Sequence, residues 1–222
     1  MARRFDLKNT ARRRSRGRRR GFTGLLPSVR GLRHYPYDNL RHRDAIAVLD
    51  ADSDVIDFTP TPVVAWNDGA KLRKLTFSFV VVSKTRGRFL YDVLDTEKIS
   101  ARRQRGYDDV RQRLPFDGFT ELTYLTHGEL KAGTALANAE TIRKAILRPP
   151  FRSDPAWAFA ALRLLTEAGG QASFGDLRRR PELGPHARGI LFKLVLANAI
   201  VIVDPAAPLD DATMLQISSE RR

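Results

Sequence analysis

The chain has 222 residues and a formal net charge of +14, from 39 Lys and Arg against 25 Asp and Glu. A 42% hydrophobic fraction excludes a wholly disordered chain, and no apolar run reaches the roughly 18 residues of a membrane span. With no cysteine and only four scattered histidines (His34, His42, His127, His186), the sequence offers no disulfide, no thiolate metal site and no cysteine nucleophile. No apolar stretch follows the charged N-terminus, so it does not read as a secretion signal, and the chain is expected to be cytoplasmic.

Residues 1–21 form an arginine-rich tail. Its cations include Arg12, Arg13, Arg14, Arg16, Arg18, Arg19 and Arg20, and residues 1–20 alone hold +9 of the net charge. Such a run cannot build a core. It reads as a DNA-binding arm, because each guanidinium can displace a condensed counterion from a phosphate backbone. A tail that only adds solubility is the plainer alternative.

Residues 22–150 follow the order helix, strands, helix, strand, helix. Tyr35-Pro36-Tyr37 reads as a packing lid before an amphipathic helix over Asp38–Asp50. Val55–Trp66 is β-branched but carries Pro60 and Pro62, which demotes it to an edge strand or link. Lys74–Ser83, with Phe77, Phe79, Val80, Val81 and Val82, is the strongest strand and is expected to be buried on both faces. A turn at Lys84–Gly87 leads to a partner strand over Arg88–Leu94. A charged helix over Glu97–Leu114, a strand over Thr120–Thr126 and a helix over Thr134–Ile146 complete this part, stopped by Pro149-Pro150.

Residues 151–222 predict three helices and a hairpin. Asp154 caps the first with Pro155 at its first turn, Ser173 caps the second, and Gly184-Pro185 opens the third; strands Ile200–Val203 and Met214–Ile217 follow. That order is the plan of a winged helix-turn-helix. Arg178, Arg179 and Arg188 lie where phosphate contacts beside a recognition helix would fall. The third helix is largely apolar after Gly189, so docking of a protein partner fits this domain equally well. Trp66 and Trp157 read as core anchors, and no glycine pattern suggests a nucleotide site.

Five stretches, in order and spacing, resemble the TnsA-type endonuclease subunit of heteromeric transposases. Asp38-Asn39-Leu40-Arg41-His42-Arg43-Asp44 and then Asp52-Ser53-Asp54-Val55 resemble the family's acidic helix and the stretch after it. Thr76-Phe77-Ser78-Phe79-Val80-Val81 and Leu90-Tyr91-Asp92-Val93-Leu94 resemble its two active-site strands. Thr126-His127-Gly128-Glu129-Leu130, with Asn138, resembles the T-x-x-E stretch that follows. The likeness spans roughly residues 22–222. It implies a restriction-endonuclease-like α/β domain at 22–150 and a winged-helix domain at 151–222.

The resemblance also implies a degenerate site. Asp38 stands where the family keeps a Glu, Ser78 at the central Asp, Asp92 at the third acid and Leu94 at the lysine. A hydroxyl is a poor Mg²⁺ ligand, and Leu94 cannot act on a proton. No catalytic residue and no cofactor is therefore expected. Mg²⁺ would enter only if the chain were an active endonuclease nicking the non-transferred strand, with Lys74 or Lys84 and Asp95 or Glu97 filling the gaps. The leading expectation is a non-catalytic, nucleoid-associated subunit of a transposition complex. It would bind double-stranded DNA through the tail and through Arg102, Arg103 and Arg105, whose helix otherwise reads as a solvated face. Its implied partners are a DDE-type transposase or integrase and an ATPase regulator, with no membrane role. A winged-helix transcriptional regulator is a further alternative.

Overall fold

The computed structural model describes residues 22–31, 33–67, 71–96, 99–114, 118–148 and 155–219. The arginine-rich tail, the Asp154 cap and Pro149-Pro150 lie outside them. Among the described residues the fold is mixed α/β, and no helix is long and apolar enough to cross a membrane. Two compact units divide the chain: 36–45 and 54–130 belong to the first, and 25–35, 46–53 and 131–222 to the second. The division therefore runs through the first helix and not at 150.

The first unit is built on a four-stranded sheet of order β3-β6-β7-β8, using β3 (Val55–Pro60), β6 (Phe79–Ser83), β7 (Gly87–Leu94) and β8 (Leu122–Thr126). The first two pairings are antiparallel and the last is parallel, so the sheet is mixed. The parallel pair is bridged by helix α2 (Ala101–Arg111), as a parallel connection requires. Ser100 caps α2 by accepting from the Arg103 N–H. Pro60 ends an edge strand, where its missing N–H breaks no ladder.

The expected strand Lys74–Ser83 is two strands. Leu72–Thr76 (β5) pairs with Val63–Asn67 (β4) in a separate hairpin, and the chain returns to the main sheet only at Phe79. Between them Thr61, at φ 53°, bends the facing segment. Its N–H bonds the Ser78 carbonyl at 2.8 Å, and the Phe77 N–H bonds the Pro62 carbonyl at 3.0 Å. The break lies opposite Pro60-Thr61-Pro62, whose prolines cannot donate to a continuous ladder. It leaves Ser78 turned toward β7. Val64, Trp66, Phe77, Val80, Leu90, Tyr107 and Val110 form the core beneath the hairpin and sheet, so Trp66 is the core anchor expected of it.

Two short elements escape the sequence reading at its start: β1 (Gly24–Pro27) and β2 (His34–Tyr37) pair as a two-stranded ribbon. Helix α1 (Leu40–Ala51) follows, capped by the Asn39 side chain, which accepts from the His42 N–H at 2.8 Å. Residues 44–47 and 49–51 of α1 are all buried, so burial runs around the helix, beyond the single stripe of an amphipathic helix. Directly after β8, α3 (His127–Ala132) starts on a capping box. Thr126 Oγ accepts from the Glu129 N–H at 3.1 Å, while the Glu129 carboxylate accepts from the Thr126 N–H at 2.6 Å. The T-x-x-E stretch thus has a local structural role.

The second unit packs α4 (Thr134–Leu147), α5 (Pro155–Glu167), α6 (Phe174–Arg178) and α7 (Ala187–Leu196) over a core that includes Ile142, Leu165, Leu183, Leu191 and Phe192. The third predicted helix starts at Ala187, because Pro181–His186 is a 3₁₀ stretch interrupted by Gly184 at φ 59°. The antiparallel strands β9 (Gln171–Ser173), β10 (Ile200–Ile202) and β11 (Met214–Ile217) form a sheet of order β10-β11-β9. Asn138 pins the loop before β11, donating to the Ala207 carbonyl and accepting from the Leu209 N–H, both at 2.9 Å. The start of α6 is clamped to the same loop: the Gly175 N–H bonds the Asp211 carbonyl at 2.8 Å, and a Cβ on Gly175 would lie 2.8 Å from that oxygen. Gly175→Ala should therefore cost about 1–3 kcal/mol, the usual range for overpacking. The check is the midpoint of urea unfolding, and an unchanged midpoint would mean the loop gives way freely.

Candidate functional site

A cleft of about 410 Å³ opens in the first unit where α1, the Phe77–Ser78 break, the end of β7 and the start of α2 converge. All four positions singled out by the resemblance line it: Asp38, Ser78, Asp92 and Leu94. They come together because α1 begins just after Asp38 and β7 ends with Asp92, Val93 and Leu94. The interruption between β5 and β6 brings Ser78 alongside.

Asp92 is the centre of the site, and it is 2% exposed. One carboxylate oxygen accepts from the Ser78 N–H at 3.1 Å and the Ser78 hydroxyl at 2.8 Å. The other accepts from the Tyr107 hydroxyl and from a terminal nitrogen of Arg103. Ser78 Oγ in turn accepts from the Val93 N–H at 3.0 Å. Arg103 spans the group, with Nε donating to the Tyr107 hydroxyl at 2.7 Å and its terminal nitrogen also reaching the Thr76 carbonyl at 3.3 Å. Tyr107 is fully buried and stacks between Phe77 and Tyr124, with centroids 5.9 and 5.3 Å away.

The electrostatics follow from that packing. Burial pushes the Tyr107 hydroxyl well above its ordinary range; the neighbouring Asp92 adds to the rise and Arg103 opposes it. Tyr107 therefore stays a neutral donor. Burial works against the charge on Arg103, but its bonds to Tyr107 and Asp92 and the Asp92 charge outweigh burial, leaving it more firmly protonated than a free arginine. The network is a buried carboxylate neutralised by a guanidinium from α2.

This donor set does not fit the divalent cation of a nuclease. Such an ion takes about six oxygen ligands, usually with carboxylates among them. Here both Asp92 oxygens are occupied by internal donors, and Ser78 spends its proton on Asp92. Asp38 is engaged locally, with its carboxylate 2.7 Å from the Asn39 amide and 2.8 Å from His42 Nδ1. Leu94 contributes only hydrocarbon. Neither Lys74 nor Lys84 lines the cleft, and Asp95 is paired with Arg41; Glu97 lies outside the described residues. Among the described residues no group of three or more His, Cys, Asp or Glu side chains gathers to hold a metal.

The cations expected to meet DNA are placed differently from one another. Arg102 and Arg105 are exposed on α2, whereas Arg103 is drawn into the site. Arg178 pairs with Asp211 at 2.9 Å, Arg179 with Asp176 at 2.8 Å, and Arg188 lies over the Phe174 ring. Residues 12–20 of the tail lie outside the described residues. Sequence reasoning missed Tyr107 altogether and took Arg103 for a surface cation. The available signal was their spacing of four, which places both on one helix face. Compared with known protein families and with curated proteins, the chain matches none.

Proposed function

We propose that the chain is a non-catalytic, DNA-binding subunit of a transposition complex, a TnsA-like pseudo-endonuclease. In this reading the first unit is a restriction-endonuclease-like body that cradles the end of the mobile element. The helices α5, α6 and α7 with the strands β9–β11 form a winged helix that docks a DDE-type integrase and an ATPase regulator, and the arginine tail grips phosphates. The observation that carries the reading is the Asp92 network. Residues aligned with a nuclease site from separate stretches of sequence converge on one cleft, where an arginine satisfies Asp92, the acid at the third position. The order α5-β9-α6-α7-β10-β11 within the second unit supports the winged-helix part.

Two experiments test it. Full-length protein mixed with duplex DNA and Mg²⁺ or Mn²⁺ should retard the DNA and leave it uncut. Cutting that disappears in Asp92→Ala would establish the endonuclease instead, and failure to retard any DNA would remove the DNA-binding reading. Co-purification with an integrase on transposon-end DNA is the expected partner result, whereas binding confined to a promoter would identify a transcriptional regulator.

A further inference from the structure

Outside the tail the chain carries a net charge of only +5, and several of the exposed cations of the first unit lie on one hairpin and the helix it touches. The β4–β5 hairpin touches α2 near its base and near its tip. Near its base the Thr76 carbonyl receives Arg103 and Leu75 packs on Gly106, and near its tip the Asn67 carbonyl receives Arg113 at 3.3 Å. A Cβ on Gly106 would lie 3.3 Å from Leu75 Cδ2, so this glycine lets the hairpin pack close. Hairpin and helix make one ridge about 16 Å long, from the 1.5 Å rise per residue of α2.

The ridge is basic on both halves. The hairpin exposes Lys71, Arg73 and Lys74, against a single acid, Asp68, between its strands in the sequence. The helical half exposes Arg102, Arg105, Arg111 and, just past its end, Arg113. On the helical half Asp108 and Asp109 are the opposing acids, and Asp108 is already engaged by Gln104 and Arg111. The ridge borders the cleft, since Thr76 and Ser100 line one and belong to, or cap, the elements of the other.

We infer that this hairpin–helix ridge is a second phosphate-binding surface, which holds the backbone of duplex DNA beside the inactive cleft. The inference rests on the DNA-binding reading above and deepens it. Sequence pattern points only to the helix; the hairpin is added by its packing. Duplex DNA presents one charge per about 1.7 Å of axis, so a ridge of this length faces several phosphates at once. Within the cleft Asp92 is buried and paired with Arg103, and Asp95 is paired with Arg41, so both of these carboxylates meet an internal cation.

The test uses the full chain and fluorescein-labelled duplex DNA, with anisotropy measured across a salt series. The ridge variant is Lys71→Gln/Lys74→Gln/Arg102→Gln/Arg105→Gln. A control variant removes four exposed charges elsewhere: Lys131→Gln/Lys144→Gln/Arg148→Gln/Arg163→Gln. The ridge variant should bind at least about tenfold more weakly, with the log–log salt slope reduced by about 0.9 for each phosphate no longer neutralised, while the control changes little. Equal losses in both variants would reduce the effect to net charge and overturn the ridge. Unchanged binding by the ridge variant would also overturn it while leaving the DNA-binding reading intact. No binding by the unmodified chain would instead remove that reading. A ridge effect on duplex RNA but not on DNA would reassign the surface. Should the fourfold ridge variant fail to fold, Lys74→Gln/Arg102→Gln asks the same question with two exposed cations.

Discussion

Arg143→Leu should destabilise the second unit by about 3–5 kcal/mol, the cost of leaving a buried carboxylate without its cation. Asp50 on α1 is completely buried, and Arg143 on α4 reaches it at 2.7 Å. The same guanidinium donates to the Pro27 carbonyl at 2.6 Å, while Asp50 also accepts from the Ser28 hydroxyl at 2.6 Å and the Val29 N–H at 2.8 Å. One ion pair therefore holds the β1 end, α1 and α4 together. Burial pulls the Arg143 pKa down and the Asp50 charge only partly restores it, which marks the cost of enclosing the pair. Asp50→Leu/Arg143→Leu should recover much of the loss, because two apolar side chains leave no orphaned charge. Equilibrium urea unfolding of both variants is the measurement. A loss below about 1 kcal/mol in Arg143→Leu would mean that water reaches Asp50 and the pair is not structural.

Much of the fold could be read from local pattern. The apolar run at Val80–Val82 lies in a buried central strand, Ser173 does cap α6, and the helix over Thr134–Ile146 appears almost residue for residue. What escaped the pattern depends on residues distant in sequence. Nothing within Lys74–Ser83 marks a break at Phe77–Ser78; the cause is the proline-bearing segment Pro60-Thr61-Pro62 paired against it from upstream. The α3 helix was hidden by its length, although its capping box was visible as Thr126 and Glu129.

The site was legible to a similar depth. Matching residues to a family pattern brought out Asp38, Ser78, Asp92 and Leu94, and the structure lines one cleft with all four. What the pattern could not supply is how Asp92 is satisfied. A helix reading R-R-Q-R-G-Y looks like a solvated basic face, and only the fold turns Arg103 inward while leaving Arg102 and Arg105 outside. The same charge thus serves two purposes one residue apart. His127 repeats the lesson, since its ring nitrogen sits 2.9 Å from buried Asp44, a partner 83 residues away.

Arg103→Ala should unfold the site by the same logic, at about 3–5 kcal/mol, because Asp92 is left buried with only neutral donors. A second outcome separates a structural cation from mere packing. In the unmodified chain the guanidinium supplies the positive charge, so Mn²⁺ should leave the melting temperature unchanged. In Arg103→Ala the carboxylate of Asp92 lacks a counter-charge, with the exposed carboxylate of Asp95 on the same cleft, and Mn²⁺ should raise the melting temperature. Arg103→Lys should fall between, keeping the charge but losing the fork that reaches Asp92, Tyr107 and Thr76 together. Differential scanning calorimetry with and without Mn²⁺ reads all three. If Arg103→Ala melts with the unmodified chain, or Mn²⁺ raises both equally, Arg103 is not the cation of this site, and the function proposed above loses the observation that carries it.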